Sequence, residues 1–366
     1  MKLLNACLPL VFSLFVGAAY AETDLVTVDL SAASPSYQQD AALIRQTYET
    51  NLYTLPAFKM GHYGLRMYRQ TQDAKYGAAI WSDMARVASR LNKFATEVYT
   101  PDQIKAYSDI RIQNYGKKDD VRGKLRYAVT QSQPEYLYLG VDLLGSMARA
   151  NEYGLKHRED EKLRQVIRRY DFAEYATDPE MIRAWAAQLA NQVYWLRQLG
   201  EQDVVDEFIA AFKATYPDKK DADLTDQQFM NKIYGLTHII FAASEYYQHP
   251  IKEREYQWIY DYYRKNIDTI LLRSKEDVIA EVGINFLLAG LESDPVVAKT
   301  RKAIQESIDR KAGMVPSVNG ETELLDGEHR NVLTIMLLDW RGPHEVPTVE
   351  RQPEIFSSLP YGLTAQ

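Results

Sequence analysis

The sequence predicts an all-α fold, an α/α toroid of about six helical hairpins, with an open α-solenoid as the alternative. Three observations lead there. From Pro35 onward apolar residues recur at helical spacing, and alternating β-branched runs are almost absent. Glycine or proline separates the periodic stretches at Gly116, Pro134, Pro179, Pro217, Pro250, Pro295 and Gly313, where each marks a turn. The apolar helices also repeat. Tyr234-Gly-Leu-Thr-His238, Asp277-Val-Ile-Ala-Glu281 and Asp326-Gly-Glu-His329 each open a run of apolar residues, and His238, Glu281 and His329 follow one another at 43 and 48 residues, about one helix pair each.

Taken in order, Met1-Lys2, the apolar run from Leu3 to Val16 and the small residues of Ala19-Tyr20-Ala21 predict a signal peptide over 1–21. Residues 22–36 carry no pattern and are expected to be flexible. The helical domain is expected over 37–341. Its first inner helix opens at Gly61-His62-Tyr-Gly-Leu-Arg66, and 138–150 and 181–199 supply two more apolar helices. The stretch 100–133 does not fit the period and is read as an insertion over one face. The acidic segment 218–226 reads as a solvated loop. Ile251–Leu272 and Pro295–Arg310 are charged on one side and apolar on the other, as outer members of hairpins must be. Residues 342–366 form an unpatterned C-terminal tail.

Composition narrows the chemistry. Cys7 is the only cysteine and lies in the predicted signal, so the remaining chain has no disulfide, thiol nucleophile or thiolate metal site. The net charge of −7, with no basic stripe, argues against nucleic acid as a partner. After residue 21 no apolar stretch approaches ~20 residues, so no membrane span is expected and the location is read as periplasmic or secreted. No nucleophile elbow, phosphate loop, His-Glu-x-x-His or dinucleotide fingerprint occurs.

In a toroid, equivalent positions on successive inner helices converge on one cavity. His62, His238, Glu281 and the Glu328-His329 pair share such a position, just before an apolar run. Imidazoles exchange protons near neutral pH and carboxylates orient them, so these five are the candidate acid–base residues. A divalent metal on His62, His238, His329 and a glutamate is the other use of the set, although none forms a local pair on one helix; no cofactor can be named. Arg66 and Arg330 are candidates to pair a carboxylate of a substrate. The chain holds 26 tyrosines against 11 phenylalanines, and Tyr63 and Tyr234 are candidates to stack on a sugar ring. A histidine or glutamate at a helix start can also simply cap it, and a tyrosine can simply fill space between hairpins.

The segments 234–248, 281–288 and 327–338 resemble an uncharacterised exported domain family of bacteria, known mainly from marine gammaproteobacteria. The likeness covers about the last two-thirds of the chain. It implies a helical-toroid domain and no catalytic assignment. The fold-level expectation is a carbohydrate-active enzyme of the lyase, epimerase or hydrolase type, acting on an oligosaccharide or another small envelope ligand. A non-catalytic binding or scaffold protein of the envelope is the alternative.

Overall fold

The structure is a computed structural model that describes residues 35–366; the expected signal peptide and nearly all of the 22–36 segment lie outside the described residues. The first half of the chain gives α1 (Tyr37–Asn51), α2 (Ala57–Thr71), α3 (Gly77–Thr96), α4 (Pro101–Gly116), α5 (Val121–Thr130) and α6 (Gly145–Glu152), the last entered through a π-helical turn at Leu137–Leu144. Strand β1 (Leu155–His157) and the short α7 (Asp160–Ile167) and α8 (Phe172–Ala176) lead to the second half. There follow α9 (Pro179–Gln198), α10 (Val205–Thr215), α11 (Asp226–Ala243), α12 (Gln257–Arg273), α13 (Glu276–Leu288), α14 (Pro295–Glu306), α15 (Leu324–Leu338) and β2 (Leu363–Ala365). The fold is all-α, and its only sheet among the described residues is the antiparallel pair of β1 and β2.

Local chemistry sets where the helices begin. Ser36, Thr100 and Thr225 each form a capping box with a glutamine three residues on, which satisfies orphan N–H groups at the starts of α1, α4 and α11. Helices α9 and α14 start with proline at the first turn, after Asp178 and Asp294 have accepted from the backbone N–H of Met181 and Val296.

Burial separates two kinds of helix. Every residue of α13 from Val278 to Leu288 is buried, and every residue of α15 from Asn331 to Leu338. A helix apolar all round must be enclosed by others. By contrast α14 buries only Val296, Val297, Thr300 and Ile304, one stripe of an outer helix. The enclosed helices pack in sequence, α9 on α11, α11 on α13 and α13 on α15. Helix α15 then packs on α1 and α2, α2 on α3, and α3 on α6, while the π-helical turn before α6 packs on α9. The first and last helices are therefore neighbours.

Three segments without the inner-helix pattern have definite places. The stretch 100–133 forms α4 and α5, a hairpin packed on α9 and the π-helical turn, with the Arg126 guanidinium 4.0 Å from the Trp185 ring centroid. The acidic segment is not simply solvated: Asp218–Asp223 makes a 3₁₀ turn whose Asp218 and Asp221 accept from the buried Lys232 ammonium at 2.8 and 2.7 Å. After Gly342 the chain runs back across the helices, buries Val346, Ile355 and Phe356, and ends in β2 against β1.

Helices α9, α10 and α11 meet closely at Gly235. A Cβ there would lie 2.3 Å from the Phe212 ring and 3.0 Å from the Ala186 Cβ. Gly235→Ala should therefore destabilise the fold by about 1–3 kcal/mol through overpacking. Chemical denaturation would read this as a lower midpoint with the slope unchanged.

Candidate functional site

The site starts from a carboxylate. Glu281 sits on α13 between Val278–Ala280 and Val282–Ile284, all apolar or glycine, and it is buried. An unpartnered charge at such a place would be expensive, so the fold must surround it with donors. Its Oε2 accepts from the Thr237 hydroxyl of α11 at 2.6 Å. Its Oε1 faces two imidazoles, Nε2 of His238 on α11 and Nε2 of His329 on α15, each at 3.6 Å. Burial alone would raise the Glu281 carboxyl, but the facing His238 and His329 rings outweigh it and bring it down to about 2.

A second carboxylate lies one helix further on. Glu328 on α15 is fully buried, and its Oε1 accepts from Nδ1 of His62 on α2 at 2.5 Å. Lys59 approaches the other oxygen at 3.4 Å. Burial and the neighbouring Arg66 charge together outweigh the attraction of Glu328 and push the His62 imidazole down to about 3. His62 is therefore neutral near pH 7, with its proton on Nδ1 and a lone pair on Nε2. Burial would raise the Glu328 carboxyl, but the facing His62, through its electrostatic pull and its hydrogen bond, and then Lys59 and Arg66 hold it below the usual range, so that it stays ionised. The His62 and His329 rings are 5.3 Å apart between centroids. One continuous line of groups thus runs His238, Glu281, His329, His62, Glu328.

The three imidazoles open onto one cavity of about 770 Å³, and the two carboxylates stand behind them. Aromatic rings of Phe58, Tyr194, Trp195, Tyr246 and Tyr256 form part of its wall.

His238 is positioned by unusual backbone. Its Nδ1 lies 3.0 Å from Asn191 Oδ1 of α9 and 3.2 Å from the Tyr246 hydroxyl. Tyr246 follows α11 in a turn where Glu245, Tyr246 and Tyr247 all have positive φ, at 50, 57 and 73°. The left-handed conformation costs a non-glycine residue roughly 1–2 kcal/mol, so three in a row need support. Ser244 gives it through its hydroxyl, which accepts from Tyr247 N, and through its carbonyl, which accepts from Gln248 N and His249 N. The chain after Gly342 adds His344 N to the Tyr247 carbonyl and Val346 N to Gln248 Oε1.

Of the residues singled out in the sequence, His62, His238, His329 and Arg66 line this cavity, with Glu281 and Glu328 directly behind. Three others lie elsewhere. Tyr63 is stacked on Tyr48 in the core, Tyr234 donates to Asp277 beneath the Arg122 guanidinium, and Arg330 donates to the Val315 carbonyl. Among the described residues no group of three or more His, Cys, Asp or Glu side chains is arranged to hold a metal ion, so the three histidines and a glutamate do not converge as ligands. Asn191 was not anticipated, yet the repeat carries it: it stands 47 residues before His238, one further step of the same period. Lys59, one turn ahead of His62, carries no comparable signal.

The shifted groups fix the sign of the pH dependence. An Asp or Glu depressed in the fold contributes stability that is present above its unfolded pKa and lost as the pH falls through the folded one; for Glu281 that window runs from 4.5 down to about 2. His62, held neutral, makes the unfolded chain the better proton acceptor from 6.5 down to about 3, so it too erodes stability on acidification. Stability should fall steadily below pH 6.5. In His62→Gln the slope between pH 6.5 and 4.5 should flatten, as measured by denaturant midpoints at a series of pH values; an unchanged slope would mean that His62 is not held neutral.

Comparison with curated proteins and with solved structures returned no match. One family model does match, over residues 37–366, which takes in every helix and both strands described above as well as the whole candidate site. The chain belongs to the family described as Domain of unknown function (DUF3541).

Proposed function

We propose that the helices form an α/α toroid, and that the cavity at its hub belongs to a periplasmic enzyme performing acid–base chemistry on an oligosaccharide. The circuit of packing from α9 through α15 to α2, α3 and α6 supports the toroid over an open solenoid. The observation that carries the activity is the placement of three imidazoles on one cavity, each backed by a buried carboxylate.

In this reading His62 is the base. Glu328 fixes its tautomer, so that Nε2 presents a lone pair towards bound substrate. His238 and His329 share Glu281 and serve as the acid side, since a proton on either ring is balanced by the same carboxylate. The carboxylates face imidazoles and not the cavity, so neither is available as a direct nucleophile or as the acid of a paired-carboxylate hydrolase. That favours reactions built on proton abstraction and return, of the lyase or epimerase type. The aromatic wall and the cavity volume suit a sugar chain of a few residues.

A non-catalytic glycan-binding protein is the second reading. It is favoured by His62 itself, because an imidazole brought down to about 3 is a weak base at neutral pH and serves well as an acceptor for a sugar hydroxyl.

Turnover separates the two. The purified chain would be incubated with a panel of oligosaccharides, with products followed by mass spectrometry and by the ultraviolet absorbance of unsaturated sugars. The expected result is conversion of at least one substrate, with His329→Gln and His238→Gln each slowing it by about 10²–10⁴-fold while the melting temperature stays close to wild type. Binding without conversion by the wild type would sink the enzyme and leave the binding protein. Unfolding of both variants would mean that the histidines serve the core.

A further inference from the structure

Charge is unevenly distributed in this chain. The whole sequence carries a net −7, yet the cavity is lined by six arginines and no lysine or aspartate, against three glutamates. The wall arginines, Arg86 and Arg90 of α3 and Arg149 of α6, share their counter-charges with Arg111 of α4 and Arg69 of α2, which lie outside the cavity lining. Asp83 serves Arg86 and Arg149, Asp142 serves Arg90 and Arg111, and Glu152 serves Arg149 and Arg69. Five guanidinium groups therefore divide three carboxylates.

Arg66 has none. It sits on α2 one turn beyond His62, is only 5 % exposed, and lines the cavity. Its Nε has no hydrogen-bond partner, its Nη1 reaches the His62 carbonyl only at 3.5 Å, and it makes no ion pair among the described residues. The Tyr247 ring lies 5.8 Å from its guanidinium carbon. A buried guanidinium with unused donors is costly unless an anion completes it. Its planar fork is matched by a carboxylate, which it can hold by two parallel hydrogen bonds.

We propose that the ligand is an acidic oligosaccharide, one uronate carboxylate of which docks on Arg66 while its further carboxylates run along the Arg86, Arg90 and Arg149 wall. This rests on the saccharide reading above and names its substrate class. The assignment fits the neighbouring histidines, because a carboxylate neutralised by a guanidinium acidifies the C–H bond next to it, the bond that a lyase or epimerase must break. It also gives the positive wall a role beyond balancing Asp83 and Asp142. Long-range attraction draws polyanions into a cleft with an excess of positive groups even when the protein as a whole is acidic.

Calorimetric titration of the whole chain tests this. The probes are oligomers of galacturonate, glucuronate, mannuronate and guluronate, each paired with its carboxyl-reduced neutral counterpart. At least one oligouronate should bind, at least about 10-fold more tightly than its reduced form, and more weakly as salt rises. Arg66→Gln should lose about 10-fold or more of that affinity with the melting temperature close to wild type, because Arg66 makes no direct ion pair within the fold. Arg66→Lys should restore only part, since an ammonium lacks the fork. Equal binding of the reduced oligomers, binding by Arg66→Gln at the wild-type level, or binding of none of the oligouronates would each overturn the proposal. If Arg66→Gln fails to fold, the comparison of charged and reduced ligands on the wild type decides alone. Tight oligouronate binding without any turnover would remove the enzyme and leave the anion site standing.

Discussion

A single buried carboxylate constrains the second half of this fold. Glu281 takes its partners from other helices, so α11 and α15 must come close enough to deliver Thr237, His238 and His329 to it. Apolar packing alone would tolerate several registers between these helices. A charge that must be met from both sides tolerates far fewer. The Glu328 pair with His62 does the same for α15 and α2, and thereby ties the end of the helical run to its beginning.

The same interactions that fix the helices leave functional groups facing inward. Each histidine turns one ring nitrogen to a buried carboxylate and lines the cavity with part of its ring, His238 having its second nitrogen beside Asn191 and Tyr246 as well. The left-handed turn at Glu245–Tyr247 continues this logic. It is held by Ser244 and by the chain after Gly342, and it places Tyr246 against His238 and Tyr247 near Arg66. Backbone strain here is offset by hydrogen bonds that a relaxed turn would leave unmade.

The all-α class was legible because outer helices such as α14 carry an apolar stripe at helical spacing, the inner helices are apolar runs without strand-like alternation, and the turns are punctuated by glycine and proline. The gathering of His62, His238, Glu281, Glu328 and His329 was legible for a different reason: a repeat places equivalent residues at equivalent points, so spacing stands in for distance. Proximity along the chain was a poorer guide. Tyr63 and Arg330 adjoin His62 and His329, yet adjacent residues on a helix point about 100° apart, and both turn away from the cavity. Tyr234, one turn before His238, is instead claimed by Asp277. What no periodicity conveys is the course of a segment without a pattern. The run from Gly342 to Gln366 brings Glu345 and Arg351 to the cavity mouth and pairs its end with β1, contacts set by residues about 200 positions away.

The meeting of α1 and α2 with α15 also bears on how the molecule comes to be folded. Tyr48 donates to the Leu324 carbonyl across 276 residues, and His62 finds Glu328 across 266. Closing loops of that size carries an entropic cost long before the contacts return it, which makes assembly slow. Until α15 is in place, α1 and α2 have no cover for the face they present to it, and the His62 imidazole stands in water with its ordinary basicity. The low basicity of His62 is thus a product of completion: in mildly acidic solution the assembled chain holds a neutral ring where partly folded forms carry a cation.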